Sequence, residues 1–265
     1  MKAIGVFDSG VGGLTVLKAL RGALPHREFL YLGDTARVPY GRKPAAMVRE
    51  FAREITSFLA ARGAEAIVVA CNTATAVALA DLQREFPLPI WGVIEPGVEA
   101  ALRATRSGRV GVIGTKGTIA SQAYQQRLEA KGLTVWARAC PLFVHLVEED
   151  LADSPEAELV ARHYLAGHPD IDTLILGCTH YPVLAPVLSR VLGPGVELVS
   201  SASVTAESVR ETLGDAESTA TGTITHFVTG DPIAYEHTAR VIGGVDGEIV
   251  SLPIAELRDA SLAPI

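Results

Sequence analysis

Two stretches of this chain share one layout, and that layout narrows what the chain can fold into. "IVVACNTAT", from Ile67 to Thr75, and "LILGCTHYP", from Leu174 to Pro182, each open with a short apolar run that a cysteine closes. A short row of aliphatic residues bounded by small or polar ones reads as a strand of a parallel sheet buried on both faces. Similar runs recur at 3–7, 28–32, 66–70, 89–94, 109–113, 134–139, 172–176, 196–199, 225–229 and 247–252, with segments of helical period between them. In the segment from Ala45 to Gly63, for example, Met47, Phe51, Ile55, Phe58 and Leu59 return every three or four residues, and the closing glycine suits a C-cap. Alternation of this kind predicts parallel β/α units.

The halves of the chain resemble each other. "KAIGVFDSG" from Lys2 is matched by "RVGVIGTKG" from Arg109, "EFLYLGD" by "TVWARAC", and Cys71 by Cys178, at shifts of about 106 to 107 residues. We therefore expect an α/β fold of two similar domains, each a parallel-rich sheet flanked by helices, related by pseudo-symmetry. The segment after about residue 205 has no counterpart, so the first domain is expected to be discontinuous, 1–97 with 206–265, around a second domain at 98–205. Ligands of open parallel sheets bind beyond the carboxyl ends of the strands. The polar motifs "DSGVGG", "GDTARVPYG", "CNTAT", "GTKGT", "EE" at 148–149 and "CTHYP" all fall at such ends, which predicts an active site in the cleft between the domains, with Cys71 on one wall and Cys178 on the other.

Charge and composition remove several classes of function. A formal net charge of −7 with no basic run argues against nucleic acid and anionic membrane surfaces, leaving small molecules as the expected partners. No stretch reaches the ~20 apolar residues of a membrane span, and the first apolar run stops at Asp8, far short of a signal peptide. Three cysteines without framework spacing suit free thiols in a reducing compartment, so the cytoplasm is the expected location.

A single cysteine after a buried strand is ordinarily packing, and Cys140, with no polar cluster beside it, is read that way. Cys71 and Cys178 stand at equivalent repeat positions beside Asn72, Thr73, Thr179 and His180. Two thiols across a cleft suit inversion of a stereocentre, which needs a base on one face of a carbon and an acid on the other. Both sit at expected strand-to-helix junctions, where a helix start raises the thiolate share. Asp8 and His180 are candidate proton partners for Cys71 and Cys178 respectively, although Asp8 also reads as a turn and helix cap. Zinc held by these groups is the competing reading, but a two-residue Cys/His spacing is unlike the usual ligand patterns. "SGVGGLT" lacks both the Walker and the dinucleotide spacing and reads as close backbone approach to a small anion. Of the five lysines only Lys116 lies in a motif, which disfavours pyridoxal phosphate. A clamp that binds acidic metabolites without chemistry is a further alternative, which paired thiols disfavour.

"FDSGVGGLTVL", "GDTARVPYG", "CNTATA", "GTKGTIASQAY", "CPLFVHLVEE" and "LGCTHYPVL" together resemble, in order and over nearly the whole chain, the blocks of the glutamate racemase family. The resemblance implies cofactor-independent interconversion of L- and D-glutamate, supplying D-glutamate for peptidoglycan, by a homodimer that needs no metal. It implies that Cys71 and Cys178 are the two bases, assisted by Asp8, Glu148 and His180. Ser9, Tyr40, Gly41, Asn72, Thr73, Thr118 and Thr179, together with Asp8 and His180, match the family's substrate contacts. His145 stands where the family usually has proline. A related racemase acting on aspartate is the neighbouring possibility, against which "THYP" speaks.

Overall fold

The ten apolar runs become ten strands: β1 (Ala3–Asp8), β2 (Phe29–Gly33), β3 (Ala64–Val69), β4 (Ile90–Gly92), β5 (Arg109–Gly114), β6 (Thr134–Ala139), β7 (Thr173–Gly177), β8 (Glu197–Val199), β9 (Ile224–Val228) and β10 (Glu248–Ser251). The computed structural model describes residues 3–217, 219–244 and 246–262; residues 1–2 and 263–265, at the outer limits of the expected first domain, lie outside them. Most strands match expectation within one or two residues. β4 is shorter than the expected 89–94 because Val93 caps a helix, Ile94–Ala104, and donates its N–H to Thr75 Oγ1 at 3.4 Å. Pro96, in the first turn of that helix, lacks the N–H that would have no helical partner there.

The strands form two sheets, ordered β10-β9-β2-β1-β3-β4 and β6-β5-β7-β8. Every pairing is parallel. The order β2-β1-β3-β4 in one sheet is repeated as β6-β5-β7-β8 in the other, so the internal similarity of the sequence is a similarity of topology. Register aligns the carboxyl ends: Asp8 pairs with Gly33 and Phe7 with Val69, while Gly114 pairs with both Ala139 and Gly177.

Period-two alternation divides each sheet between two hydrophobic layers. Ile4 and Val6 of β1 join Tyr31 and Val68 beneath the helix Leu14–Ala23, whose Leu14, Val16, Leu17 and Leu20 are buried. Phe7, Ile67 and Val69 face the helix Ala45–Ala61 through Phe51, Ile55, Phe58 and Leu59. Met47, expected on that stripe, is instead 41% exposed, and its neighbour Val48 takes the buried place. Gly63 follows with φ of +89°, the left-handed conformation that ends helices at glycine. On the second sheet Val110, Val112 and Ile175 pack beneath the helices Ile94–Ala104 and Ala123–Ala130. The layer containing Ile4 and Val6 runs on without a break into Leu174, Leu176 and Cys178 of the second sheet. Each large aliphatic side chain buried in such a layer contributes about 1.5–3 kcal/mol.

The carboxyl ends of the two sheets face each other because small residues let the backbones close. A Cβ on Gly12 would lie 2.3 Å from Thr179 Oγ1 and 2.4 Å from His180 Nδ1, and one on Gly41 would lie 2.6 Å from Thr115 Cβ. Hydroxyls stitch the contact: Thr15 Oγ1 donates to the Thr179 carbonyl (3.1 Å), Tyr124 OH to Asn72 Oδ1 (2.8 Å), and Thr73 meets Thr115 (2.9 Å) and Thr118 (3.2 Å). Gly22, by contrast, has nothing within 4 Å of a Cβ and lies inside a helix. Gly12→Ala should therefore lose about 1–3 kcal/mol in urea melts, as overpacking does, whereas Gly22→Ala should gain about 0.5–1 kcal/mol. Equal stability of the two variants would refute the close approach at Gly12.

Candidate active site

β3 ends at Val69, and two residues later Cys71 caps the fourteen-residue helix Asn72–Glu85. Its Sγ lies 3.8 Å from Ser9 Oγ, which accepts a weak hydrogen bond. Burial, and then the charge of Asp8, push this thiol up to about 12, against opposing contributions from the Ala74 N–H and Ser9. The expectation that the helix start would favour thiolate is thus corrected: desolvation beside a carboxylate outweighs the N-terminal amides, and Cys71 is held as a protonated thiol at neutral pH. Cys178 follows β7 at the equivalent position. The next helical element there is only a 3-10 turn, Tyr181–Leu184, so an α-helix N-terminus does not meet this sulfur directly. Both thiols are buried and free.

Each sulfur has its own proton-handling neighbours. Asp8, at the end of β1, accepts from the Gly10 N–H at 3.1 Å on Oδ2 and faces Thr179 Oγ1 at 3.5 Å through Oδ1. Burial raises its carboxyl above the ordinary aspartate value, opposed by the charge of His180, the N–H groups of Gly10 and Gly13, and the hydrogen bond from Cys71. On the other wall His180 Nδ1 lies 3.8 Å from Cys178 Sγ and Nε2 lies 3.0 Å from Glu148 Oε1. Burial alone would lower the imidazole, but the hydrogen bonds to Cys178 and Glu148 outweigh it and push it up to about 10. Protonated, the ring donates from both nitrogens, one to sulfur and one to carboxylate.

Glu148 reaches His180 from the last turn of the helix Leu142–Glu148, which follows β6. The acidic pair, expected directly at a strand's carboxyl end, lies instead at the far end of the helix that follows β6, Glu148 as its last residue and Glu149 as its C-cap. His145 is one turn earlier and leaves the helix unbroken. A buried ionic cluster fixes the opposite rim. Arg37 Nε donates to Asp34 Oδ2 (2.7 Å), its Nη1 binds Glu54, and its guanidinium lies 4.0 Å above the ring of Phe51. Asp34 also accepts from Tyr40 OH and, at 2.8 Å, from Thr229 Oγ1. The cluster anchors the Tyr40–Arg42 turn and with it Gly41.

Between the walls lies a cavity of about 120 Å³. Ser9, Tyr40, Gly41, Cys71, Asn72, Thr73, Glu148, Cys178, Thr179 and His180, all singled out from the sequence, line it. Asp8 and Thr118 do not: they are 1% and 0% exposed and stand behind the lining, Thr118 bonded to Thr73 and Thr115. Thr115, half-buried, takes the cavity-lining place in "GTKGT", because the motif turns into a helix capped by Thr115 Oγ1, which accepts the Thr118 N–H. Arg42, Val144 and His145 also line the cavity, as does Lys116, which had been noted only as a lysine in a motif. The lining offers neutral hydroxyl and amide donors for a small anion and two sulfurs for proton transfer. Among the described residues no group of three or more His, Cys, Asp or Glu side chains is arranged to hold a metal ion.

Comparison with known proteins agrees with this chemistry. Residues 15–209 match the model of the Asp/Glu/hydantoin racemase family. A glutamate racemase of Thermus thermophilus is 56% identical over 244 residues, 91% of this chain and 92% of that protein. The crystal structure of glutamate racemase from that organism with β-chloro-D-alanine superposes with a TM-score of 0.89 at 52% identity, covering 96% of this chain and 98% of that one. That of Francisella tularensis with D-glutamate superposes at 0.87 with 32% identity over the same shares of the two chains. On sequence, fold and a cleft with one thiol in each wall, the chain belongs to the Asp/Glu/hydantoin racemase family and groups there with the glutamate racemases.

Proposed function

We propose that the chain interconverts L- and D-glutamate without a cofactor, moving protons between two thiols on opposite faces of the substrate's α-carbon. The observation that carries this reading is the pair of buried free thiols lining one cleft, each beside its own acid–base partner. From L-glutamate, the sulfur of Cys178 takes the Cα proton, the C–H electron pair stays on carbon, and the Cys71 thiol delivers its proton to the other face. From D-glutamate the roles exchange. A Cys71 held protonated suits the delivering role at neutral pH. His180, hydrogen-bonded to Glu148, is positioned to pass a proton to or from Cys178, and Asp8 to or from Cys71. Ser9, Asn72, Thr73 and Thr179 supply neutral donors to the carboxylates, with Tyr40 and Gly41 closing the rim. Thr118 acts through Thr73 and Thr115.

The same reading includes domains at 1–97 with 206–265 and at 98–205, supported by the membership of the two sheets. It includes a homodimer in the cytoplasm whose product supplies D-glutamate for peptidoglycan, supported by the likeness to glutamate racemases; among the described residues no helix is long and apolar enough to cross a membrane.

The test is chiral chromatography with L-glutamate and L-aspartate and no added cofactor. Glutamate should racemise, and Cys71→Ala or Cys178→Ala should lower the rate by at least about 10²–10⁴-fold, the usual contribution of a positioned acid or base, with circular dichroism unchanged. In deuterium oxide, early product should carry deuterium at Cα while unreacted substrate stays protonated. Racemisation of aspartate alone would move the chain to the neighbouring activity, and binding without turnover would leave a metabolite clamp.

His180 gives a separate, thermodynamic check. An unfolded histidine titrates near 6.5, and in the fold His180 does so at about 10, so proton binding favours the folded state. That stabilisation is fully present below about pH 6.5 and is lost as pH rises through about 10. The stability difference between wild type and His180→Asn in urea melts should shrink across this window. A difference that does not change with pH would mean that the imidazole is not held as a cation.

A further inference from the structure

The cavity's inner lining receives an anion through neutral donors, and the one cation among them, His180, is already paired with Glu148. Glu148, 34% exposed along its side chain, lines the cavity, and Asp8 stands directly behind it. The chain as a whole carries −7. A dicarboxylate approaching such a molecule meets repulsion at long range unless the entrance reverses the sign.

Two side chains at the rim have that property. Arg42 ends the turn Tyr40–Arg42 on the wall of the first sheet, and Lys116 opens the helix Lys116–Ala120 after β5 on the other. Both are exposed and both line the cavity. The backbones that carry them touch across the cleft, since a Cβ on Gly117 would lie 3.3 Å from Gly41 Cα. Elsewhere on the surface Arg53, Arg127, Arg162 and Arg240 each hold a carboxylate within 3.1 Å. Among the described residues neither Arg42 nor Lys116 has a carboxylate within 4.0 Å. Two unneutralised cations carried on touching backbones of opposite walls add their fields at the mouth of the cavity, where an anion enters.

We infer that Arg42 and Lys116 form a cationic lip that draws a dicarboxylate substrate into the cleft and plays no part in the proton transfers. The inference rests on the proposed racemisation of glutamate for its kinetic readout. Exposed charges act over a Debye length of about 8 Å at physiological salt, so the lip strengthens the encounter and fades as salt rises.

The experiment uses the full chain, with Arg42→Glu/Lys116→Glu as the reversing variant and Arg42→Lys as the charge-conserving one. kcat and kcat/KM for glutamate are measured from low to high potassium chloride, and glutarate binding is followed by calorimetry over the same range. At low salt the reversing variant should lose about ten-fold or more in kcat/KM with kcat nearly unchanged, and the gap should close at about 0.5 M salt. Arg42→Lys should keep the wild-type salt slope. Wild-type kcat/KM and slope in the reversing variant, a deficit that persists at high salt, or a parallel fall in kcat would each overturn the lip. If wild type fails to racemise glutamate, the proposed function falls by itself; the lip then stands or falls on whether the reversing variant loses the salt-dependent binding of glutarate.

Discussion

The cleft depends on how closely two backbones can approach. Gly12 lies against Thr179 and His180, and Gly41 against Thr115, at distances where a single methyl group would collide. With those contacts made, the carboxyl ends of two separate parallel sheets become the two walls of one cavity. Without them Cys71 and Cys178 would each close an open sheet of its own, and neither could meet the other across a substrate. The hydroxyl contacts of Thr15, Thr73, Thr115 and Thr118 and the Tyr124–Asn72 bond then hold the spacing, and Asn72 is the residue immediately after the first thiol.

Electrostatics in the walls follows from the burial that this closure imposes. Asp8, Cys71 and His180 lie in a region from which water is largely excluded, where a charge is tolerated only beside a partner. The outcome differs on the two sides. Around Cys71 the carboxylate and the low dielectric both oppose thiolate, whereas Cys178 faces an imidazole held as a cation by Glu148. Matched positions in a repeated topology thus carry unlike electrostatic surroundings. The Asp34–Arg37–Glu54 cluster is a comparable concentration of buried charge that touches no thiol; its part is to keep the Tyr40–Arg42 turn in place, and breaking one member would leave uncompensated charge in the interior.

Much of this was legible in the residues. Apolar runs located the ten strands of the described residues, most directly β1, β3 and β7, which are buried on both faces and so apolar almost throughout, and the shift between Cys71 and Cys178 anticipated the repeated strand order. What was not legible depended on helical phase and on distant partners. Thr115 and Thr118 look equivalent in a motif placed only at a strand's carboxyl end, and it is the helix that begins at Lys116 that turns one to the cavity and the other away. Glu148 sits at a helix end because the segment after Cys140 coils at once, a tendency its short apolar run hides. The role of Glu54 has a faint signal, a carboxylate next to Ile55 on the buried stripe of its helix, but its partners Arg37 and Asp34 come from another motif. Burial overrode the helix start at Cys71, a balance that depends on the Asp8 carboxylate contributed by a different strand.

The order of strands in the larger sheet also bears on how the chain is made. β2 pairs with β9, and the contacts beyond that pair, such as the Gly230 N–H donating to Thr35 Oγ1, join residues 195 apart. At a synthesis rate of about 5–20 residues per second, β2 emerges from the ribosome roughly 10–40 seconds before its partner, while the whole of the four-stranded sheet is made in between. For that interval a finished row of backbone donors and acceptors stands open at the sheet's edge, the arrangement most prone to pair with a neighbouring nascent chain. The early part of this protein is therefore the part that most needs shelter during translation, although in the finished fold it is among the most deeply buried.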